Sequence, residues 1–253
     1  MEIDQFWYIL KTGYGYQSSR TCRFLVKKFP FWATFIYYVQ LVYIILIESI
    51  TAHKGTYDRK TWARGSLCIV KIVESAGGRL HVSGLKGVAE HQEPLVYNSV
   101  TFVVKKGLLR YPVFGSIIRA IHPIAVTRQN PREDLKLVLT RGQTLISQGC
   151  SIMIFPQATR SAVFDVASFN SLGVKLARKA GVAVVPVALK TDFQGNGRIL
   201  KDMGAVDPSK ELYIKFGEPI PVKGNGQETH QQIVTFITEN LTAWGAKVNR
   251  NIS

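Results

Sequence analysis

Residues 152–161 read Ile-Met-Ile-Phe-Pro-Gln-Ala-Thr-Arg-Ser, an apolar run stopped by Pro156 and followed by polar and cationic side chains. An arginine guanidinium is a planar fork of donors and a threonine hydroxyl a small adaptable one. Thr159 and Arg160 are therefore natural phosphate ligands. In an open α/β sheet, ligands collect at the carboxyl ends of strands. Residues 157–161 stand at such an end, ahead of a helix signalled by Ser168 or Asn170. Taken alone, Thr-Arg-Ser fits a capped surface turn equally well.

Such a site needs a sheet to carry it. Beyond residue 60, short β-rich runs alternate with helical stretches, which argues for an α/β layer fold, a mixed sheet flanked by helices. The expected strands are 79–84, 94–104, 124–128, 151–156, 183–189 and 212–220. Helical periodicity fits Thr61–Ala76, Arg132–Gln148, Phe169–Lys179 and Glu228–Trp244. In the last of these, Ile233, Phe236, Ile237, Leu241 and Trp244 form one apolar stripe, which reads as packing. No repeat or low-complexity tract breaks the chain.

Upstream lies the most apolar segment. From Phe31 to Ile47 only Thr34 and Gln40 are polar and none is charged, about the minimum length for a bilayer core. Phe29, Phe31, Trp32, Phe35, Tyr37 and Tyr38 crowd its first half, as side chains at a headgroup boundary do. The organisation expected is a basic segment over 1–28, a membrane helix that anchors the chain over 29–50, an amphipathic connector over 51–78 and one domain over 79–253.

The chain has 32 Lys+Arg against 17 Asp+Glu, a net charge of +15, with a mean hydropathy of +0.07. That excess suits an anionic partner, and beside an apolar anchor it reads most simply as attraction to anionic membrane lipids. A nucleic-acid partner is the weaker reading, because no basic run with interleaved aromatics, zinc-finger spacing or RNA-recognition signature occurs. Cys22, Cys68 and Cys150 are far apart and odd in number, without metal-ligand spacing, and read as reduced thiols. No metal or resident cofactor is expected.

The segment Phe155–Ser161 resembles the Phe-Pro-Glu-Gly-Thr-Arg-Ser motif of the glycerolipid acyltransferases, the lysophosphatidic acid acyltransferase family. Residues 111–134 resemble that family's second motif, with its arginine at Arg128, and residues 181–191 its fourth, with its Val-Pro at Pro186. The ordered blocks cover roughly residues 79–221. The resemblance implies acyl transfer from a thioester, on coenzyme A or acyl carrier protein, to the free hydroxyl of a lysophospholipid. It also implies a membrane-associated protein on the cytoplasmic face of the inner membrane. Arg128, Thr159 and Arg160 would grip the acceptor's phosphate, with Phe155, Pro156, Gln157, Ser161 and Pro186 supporting the motifs. Two departures stand in the third motif: Gln157 for Glu and Ala158 for Gly.

The family's chemistry rests on a first motif, His, four residues, then Asp or Glu, in which the histidine takes the acceptor's proton and the carboxylate orients the ring. His91 in Ala-Glu-His-Gln-Glu-Pro is the tempting candidate, since His-Gln often opens that motif, yet Val96 stands five positions on. Glu93 is two positions away, and Pro94 rules out a helix running through the spot. In register, 94–98 resembles the strand before the motif and the following residues resemble the strand after it, with nothing between Asn98 and Ser99. Adjacent parallel strands need a crossover of about a dozen residues, so 94–104 is expected as one strand, straight or kinked. The first motif and its helix are then missing, and the chain is an impaired enzyme or an inactive lipid-phosphate binder; the alternative is an active acyltransferase using His91 from an unusual position. His81 and His122 read as packing or surface residues.

Overall fold

The computed structural model describes residues 30–53, 68–84, 100–111, 113–157, 161, 163–195, 197 and 204–249. In chain order its helices are α1 (Pro30–His53), α2 (Phe114–Ala120), α3 (Pro131–Ser147), α4 (Leu172–Ala180) and α5 (Gln227–Ala243), and residues 68–75 are also helical. Its strands are β1 (Leu80–Ser83), β2 (Val100–Lys105), β3 (Ile124–Val126), β4 (Ser151–Met153), β5 (Val163–Asp165), β6 (Val187–Lys190), β7 (Leu212–Phe216) and β8 (Lys247–Asn249). The chain divides into two units, Met1–Ser83 with Leu189–Lys215, and Gly84–Ala188 with Phe216–Ser253.

In the first unit β1 pairs in parallel with β7, and β6 flanks β7 on its other side. Its core gathers Tyr37, Ile72, Val73, Ala76, Phe193 and Val206. α1 contributes to that core through one face only. The Thr34 hydroxyl accepts the Val206 N–H at 3.1 Å, Tyr38 donates to the Gly204 carbonyl at 2.7 Å, and Ser75 donates to the Gln40 side chain at 2.7 Å. The opposite face, from Phe31 and Phe35 through Val39, Val42 and Leu46 to Ile50, is exposed and wholly apolar. By length and composition, Phe31–Ala52 is able to cross a membrane.

The second unit is built on β2, paired in parallel with β3 on one side and β4 on the other. Parallel strands are joined by helices on a sheet face, and here α3 is the helix between β3 and β4. Its start is written into the chain: Asn130 accepts the Arg132 and Glu133 N–H groups, Pro131 needs no partner for its nitrogen, and Glu133 and Asp134 sit at the positive helix end. Ile124, Val126, Val138 and Leu176 close the core beneath this sheet. A second core joins α5 to β5 and β8, where Ile233, Ile237 and Leu241 of the expected stripe are buried and Phe236 and Trp244 pack beside them.

Several strands stop earlier than the apolar runs predict. β3 ends at Val126 because Arg128 turns left-handed, with φ 61°. β6 begins only after Pro186, which has no N–H to give a ladder. Val184 instead meets Ile220 in an isolated antiparallel bridge, so the strand expected over 212–220 ends at Phe216. The helix expected from Phe169 begins at Leu172, after Asn170 accepts the Leu172 N–H at 3.1 Å. Residues 85–99, which include the junction at Asn98–Ser99 and His91, lie outside the described residues, as do Thr61–Leu67 of the expected helix Thr61–Ala76.

His230, near the start of α5, is half-buried against Phe169, ring centroids 5.6 Å apart. Its Nδ1 is buried with no hydrogen-bond partner. Burial first, and then the Lys175 charge, hold this imidazole below its ordinary value of 6.5. A depressed folded value makes the neutral ring's contribution complete above 6.5, and acid removes it as pH falls through the folded value. Lowering the pH from about 7.5 to about 5.5 should therefore reduce Tm, and His230→Leu should lose a smaller part of its own Tm over the same range. Parallel thermal melts of the two proteins check this.

Candidate functional site

Parallel pairing sends all three strands of the β3-β2-β4 sheet out at one edge. Val126 pairs with Lys105 and Met153 with Phe102, so the chain leaving β4 reaches the level of Lys105 a few residues later. The segment after β3, with Arg128, and the segment after β4, with Phe155, Pro156 and Gln157, thus share this carboxyl edge. They are roughly 10 Å apart across β2.

Arg128 is held there by an interaction that the sequence reading did not single out. A non-glycine residue at φ 61° is disfavoured. The Asp134 carboxylate, from the first turn of α3, accepts the Arg128 N–H at 2.6 Å and the Thr127 N–H at 2.9 Å. It also accepts the Thr127 hydroxyl at 3.2 Å. Burial pushes this carboxyl up, but the backbone bonds from Thr127 and Arg128, the Thr127 hydroxyl and the Arg128 charge together hold it below 3.8. The carboxylate fixes the turn that presents Arg128. An Asp six residues past the arginine, inside a helix start, was the available signal.

The third motif is braced in the same manner. Gln157 donates its amide to the Val163 carbonyl at 3.3 Å, and the Ser161 hydroxyl accepts the Val163 N–H at 3.2 Å. Asn170 donates to the Pro156 carbonyl. Gln157 and Ser161 therefore both bond the Val163 backbone. A carboxylate has no proton to give a carbonyl, so the glutamine makes a bond that the family's usual glutamate could not make when ionised. Phe155 is exposed, and Ala158, Thr159 and Arg160 lie outside the described residues. Pro186 is buried, its carbonyl accepting the Gly217 N–H at 2.9 Å, and a Cβ on Gly217 would stand 2.7 Å from the Pro186 ring. Its role is close packing.

A positioned base is the harder part to find. His91 falls outside the described residues. His122 is exposed, with φ 47°. His81 is exposed on β1, stacked on Tyr213 at 4.8 Å, with its Nε2 3.1 Å from Glu211 Oε2. Among the described residues it is the one histidine oriented by a carboxylate. One histidine does satisfy the His-x4-Asp spacing: His53, with Asp58 five positions on. It closes α1, far ahead of the strand that should precede the motif, and Asp58 lies outside the described residues. Its spacing fits and its order does not.

Residues 81–190 match the Acyltransferase family model. Over 209 residues the chain is 25% identical to the 1-acyl-sn-glycerol-3-phosphate acyltransferase of Pseudomonas aeruginosa, covering 77% of each chain. It is also 25% identical, over 188 residues, to the chloroplastic 1-acyl-sn-glycerol-3-phosphate acyltransferase LPAT1 of Arabidopsis thaliana, covering 66% of this chain and 49% of that one. The chain thus spans about half the length of that plant relative. The fold is similar to that of the 1-acyl-sn-glycerophosphate acyltransferase PlsC of Thermotoga maritima, with a TM-score of 0.57, 16% identity, and coverage of 90% of this chain and 100% of that one. Ordered motifs, an α/β sheet with helices on it and these matches make the chain similar to the acyltransferases, over residues 81–190 for the family model. The curated relatives named above are 1-acyl-sn-glycerol-3-phosphate acyltransferases.

Removing the Asp134 carboxylate should loosen the Arg128 turn. Asp134→Ala should cost about 1–2 kcal/mol of stability, the lower part of the range for hydrogen bonds to a charged group, since the site is half-exposed. Because the folded carboxyl titrates below 3.8, its contribution is present above that value and lost as pH falls through the folded one. The gap between wild type and variant in urea denaturation should therefore narrow as the buffer is taken below 3.8.

Proposed function

We propose that the chain binds a lysophosphatidate-type acceptor at the carboxyl edge of the β3-β2-β4 sheet, with Arg128, Thr159 and Arg160 on its phosphate, and that it transfers acyl groups poorly or not at all. The observation that carries the reading is Arg128, an exposed cation at a strand's end, locked in a left-handed turn by Asp134. Similarity to the acyltransferases supplies the reaction against which that site is read. In it the acceptor hydroxyl attacks a thioester carbonyl of acyl-CoA or acyl carrier protein, the C–O bond forms as the C–S bond breaks, and the thiol leaves. A base must take the hydroxyl proton, and the gap at Asn98–Ser99 removes the histidine that ought to do so.

The chain also sits on a membrane in this reading, on the cytoplasmic face of the inner membrane, drawn there by anionic lipids and α1. The inward face of α1, from buried Ala33 to buried Ser49, is occupied by protein partners in its own unit, several of them polar. A helix crossing a bilayer alone would meet lipid on every side. α1 fits better lying in one leaflet, with Phe31, Phe35, Val39, Val42 and Leu46 in the acyl region.

A hydrogen bond to a charged group is worth about 1.5–3 kcal/mol, so Arg160→Ala should weaken lysophosphatidate binding about ten- to a hundredfold in a folded protein. Arg160→Lys should rescue only part of this, because an ammonium cannot grip bidentately. Calorimetric titration with a short-chain lysophosphatidate measures both, and unchanged affinity in Arg160→Ala rejects the assignment.

General-base assistance contributes about 10²–10⁴-fold, so labelled acyl transfer should run at least about a hundredfold below an intact relative. His53→Ala, His81→Ala and His91→Ala should each leave that residual rate unchanged. The spacing of His53 and Asp58 favours a second reading, an active enzyme with a base outside the usual motif order. Robust transfer abolished by His53→Ala would establish it.

A further inference from the structure

Between Glu93 and Glu133 the chain has no acidic residue, and it has six cations: Lys105, Lys106, Arg110, Arg119, Arg128 and Arg132. All six are exposed. The same stretch exposes Tyr111 by 57%, Val113 by 39% and Phe114 by 38%, and Phe155, leaving β4 at the same sheet edge, by 55%. Large apolar groups clustered at one edge and ringed by a single sign of charge are not an ordinary solvated turn. A solvated turn has no need of the aromatic residues, and a packing surface has no need of the cations.

The backbone holds these side chains outward at a cost. Val113 has φ 64° and ψ −66°, a strained conformation for a β-branched residue. It persists because its neighbours are pinned. The Gly115 N–H donates to the Tyr111 carbonyl at 2.9 Å, and the Ser116 hydroxyl donates to the Val113 carbonyl at 2.5 Å. The Arg119 guanidinium donates to the Leu109 carbonyl. A Cβ on Gly115 would come 2.6 Å from that same Leu109 oxygen, so only glycine lets α2 close onto the 3-10 turn Lys106–Arg110. Strain kept by this many contacts, at the edge where the phosphate ligands emerge, points to a use for the exposed loop.

We infer that this edge is a second membrane contact, separate from α1. Tyr111, Val113, Phe114 and Phe155 enter the headgroup layer of an anionic bilayer, and Lys105, Lys106, Arg110 and Arg119 pair with its phosphates. The inference rests on the lipid reading of the site, because it sets the carboxyl edge of the sheet against the layer where a lysophospholipid's phosphate resides. Charge complementarity selects the occupant. A zwitterionic surface or a neutral protein face has no use for Lys105, Lys106, Arg110 and Arg119 along a stretch with no acidic residue of its own, whereas an anionic bilayer attracts them and takes up the aromatic side chains beside them.

The test uses the full chain with Cys22, Cys68 and Cys150 changed to Ser and one new cysteine carrying an environment-sensitive fluorophore. The positions are Phe114→Cys and Phe155→Cys in the patch, Phe35→Cys in α1 and Glu239→Cys on the exposed side of α5. Each is reconstituted in phosphatidylcholine vesicles with or without phosphatidylglycerol, containing lipids with a quencher in the upper acyl chain. Quenching is expected at 114 and 155 with phosphatidylglycerol present, falling at least about twofold without it or when Lys105, Lys106 and Arg110 are changed to Glu. Position 239 should stay unquenched. Quenching at 35 but not at 114 or 155 overturns the inference and leaves the α1 reading intact. Quenching at 114 and 155 but not at 35 supports the inference and removes the α1 reading. Equal quenching at all four positions overturns it as non-specific burial.

Discussion

Parallel pairing is the constraint on which the second unit depends. Because β3 and β4 both run alongside β2 in the same direction, every return must cross a sheet face as a helix, and every strand must release its chain at one edge. Arg128 and the Phe-Pro-Gln segment are far apart in sequence and meet at that edge for no other reason. The same rule makes the junction at Asn98–Ser99 costly. A crossover between parallel neighbours needs about a dozen residues, and none stands between Asn98 and Ser99.

Asp134 shows how a helix start and a ligand turn are one device. The first turn of α3 has a positive end that favours a carboxylate, and the carboxylate put there reaches back to the two N–H groups that β3 leaves unpaired. The strand end, the helix start and the orientation of Arg128 are settled by one side chain. Gln157 does comparable work after β4, giving its amide proton to the Val163 carbonyl. The departure from the family's glutamate therefore has a local reason in this chain. Its cost falls on whatever a charge at that position would do for a bound phosphate or thioester.

The α/β class, α3 and α5 were legible in the sequence, and for physical reasons. Asn130, Pro131 and two acids mark α3's start without ambiguity, and the stripe from Ile233 to Leu241 needs no partner to be seen. Strand ends were not legible, because an apolar run records burial and says nothing of where the ladder of hydrogen bonds stops. Arg128 and Pro186 stop it through backbone geometry. β5 and β8 escaped notice because three residues carry too little pattern, and they pair across a gap that only the folded core closes. At the site, motif order located Arg128 and the 155–161 segment. The roles of Asp134 and Gln157 stayed hidden because both depend on which carbonyl or amide the fold brings within 3.5 Å.

Binding and turnover separate cleanly in such a protein because they draw on different physics. A guanidinium attracts a phosphate in the ground state through charge and a few hydrogen bonds, and it tolerates small errors of position. A general base contributes only when its nitrogen stands within hydrogen-bond reach of the proton it must take, in a ring held at the correct tautomer. Arg128 is anchored from α3, so the turn that presents it does not depend on where a base stands. The strained Val113 turn, pinned by Gly115 and Arg119, is likewise held without reference to such a base.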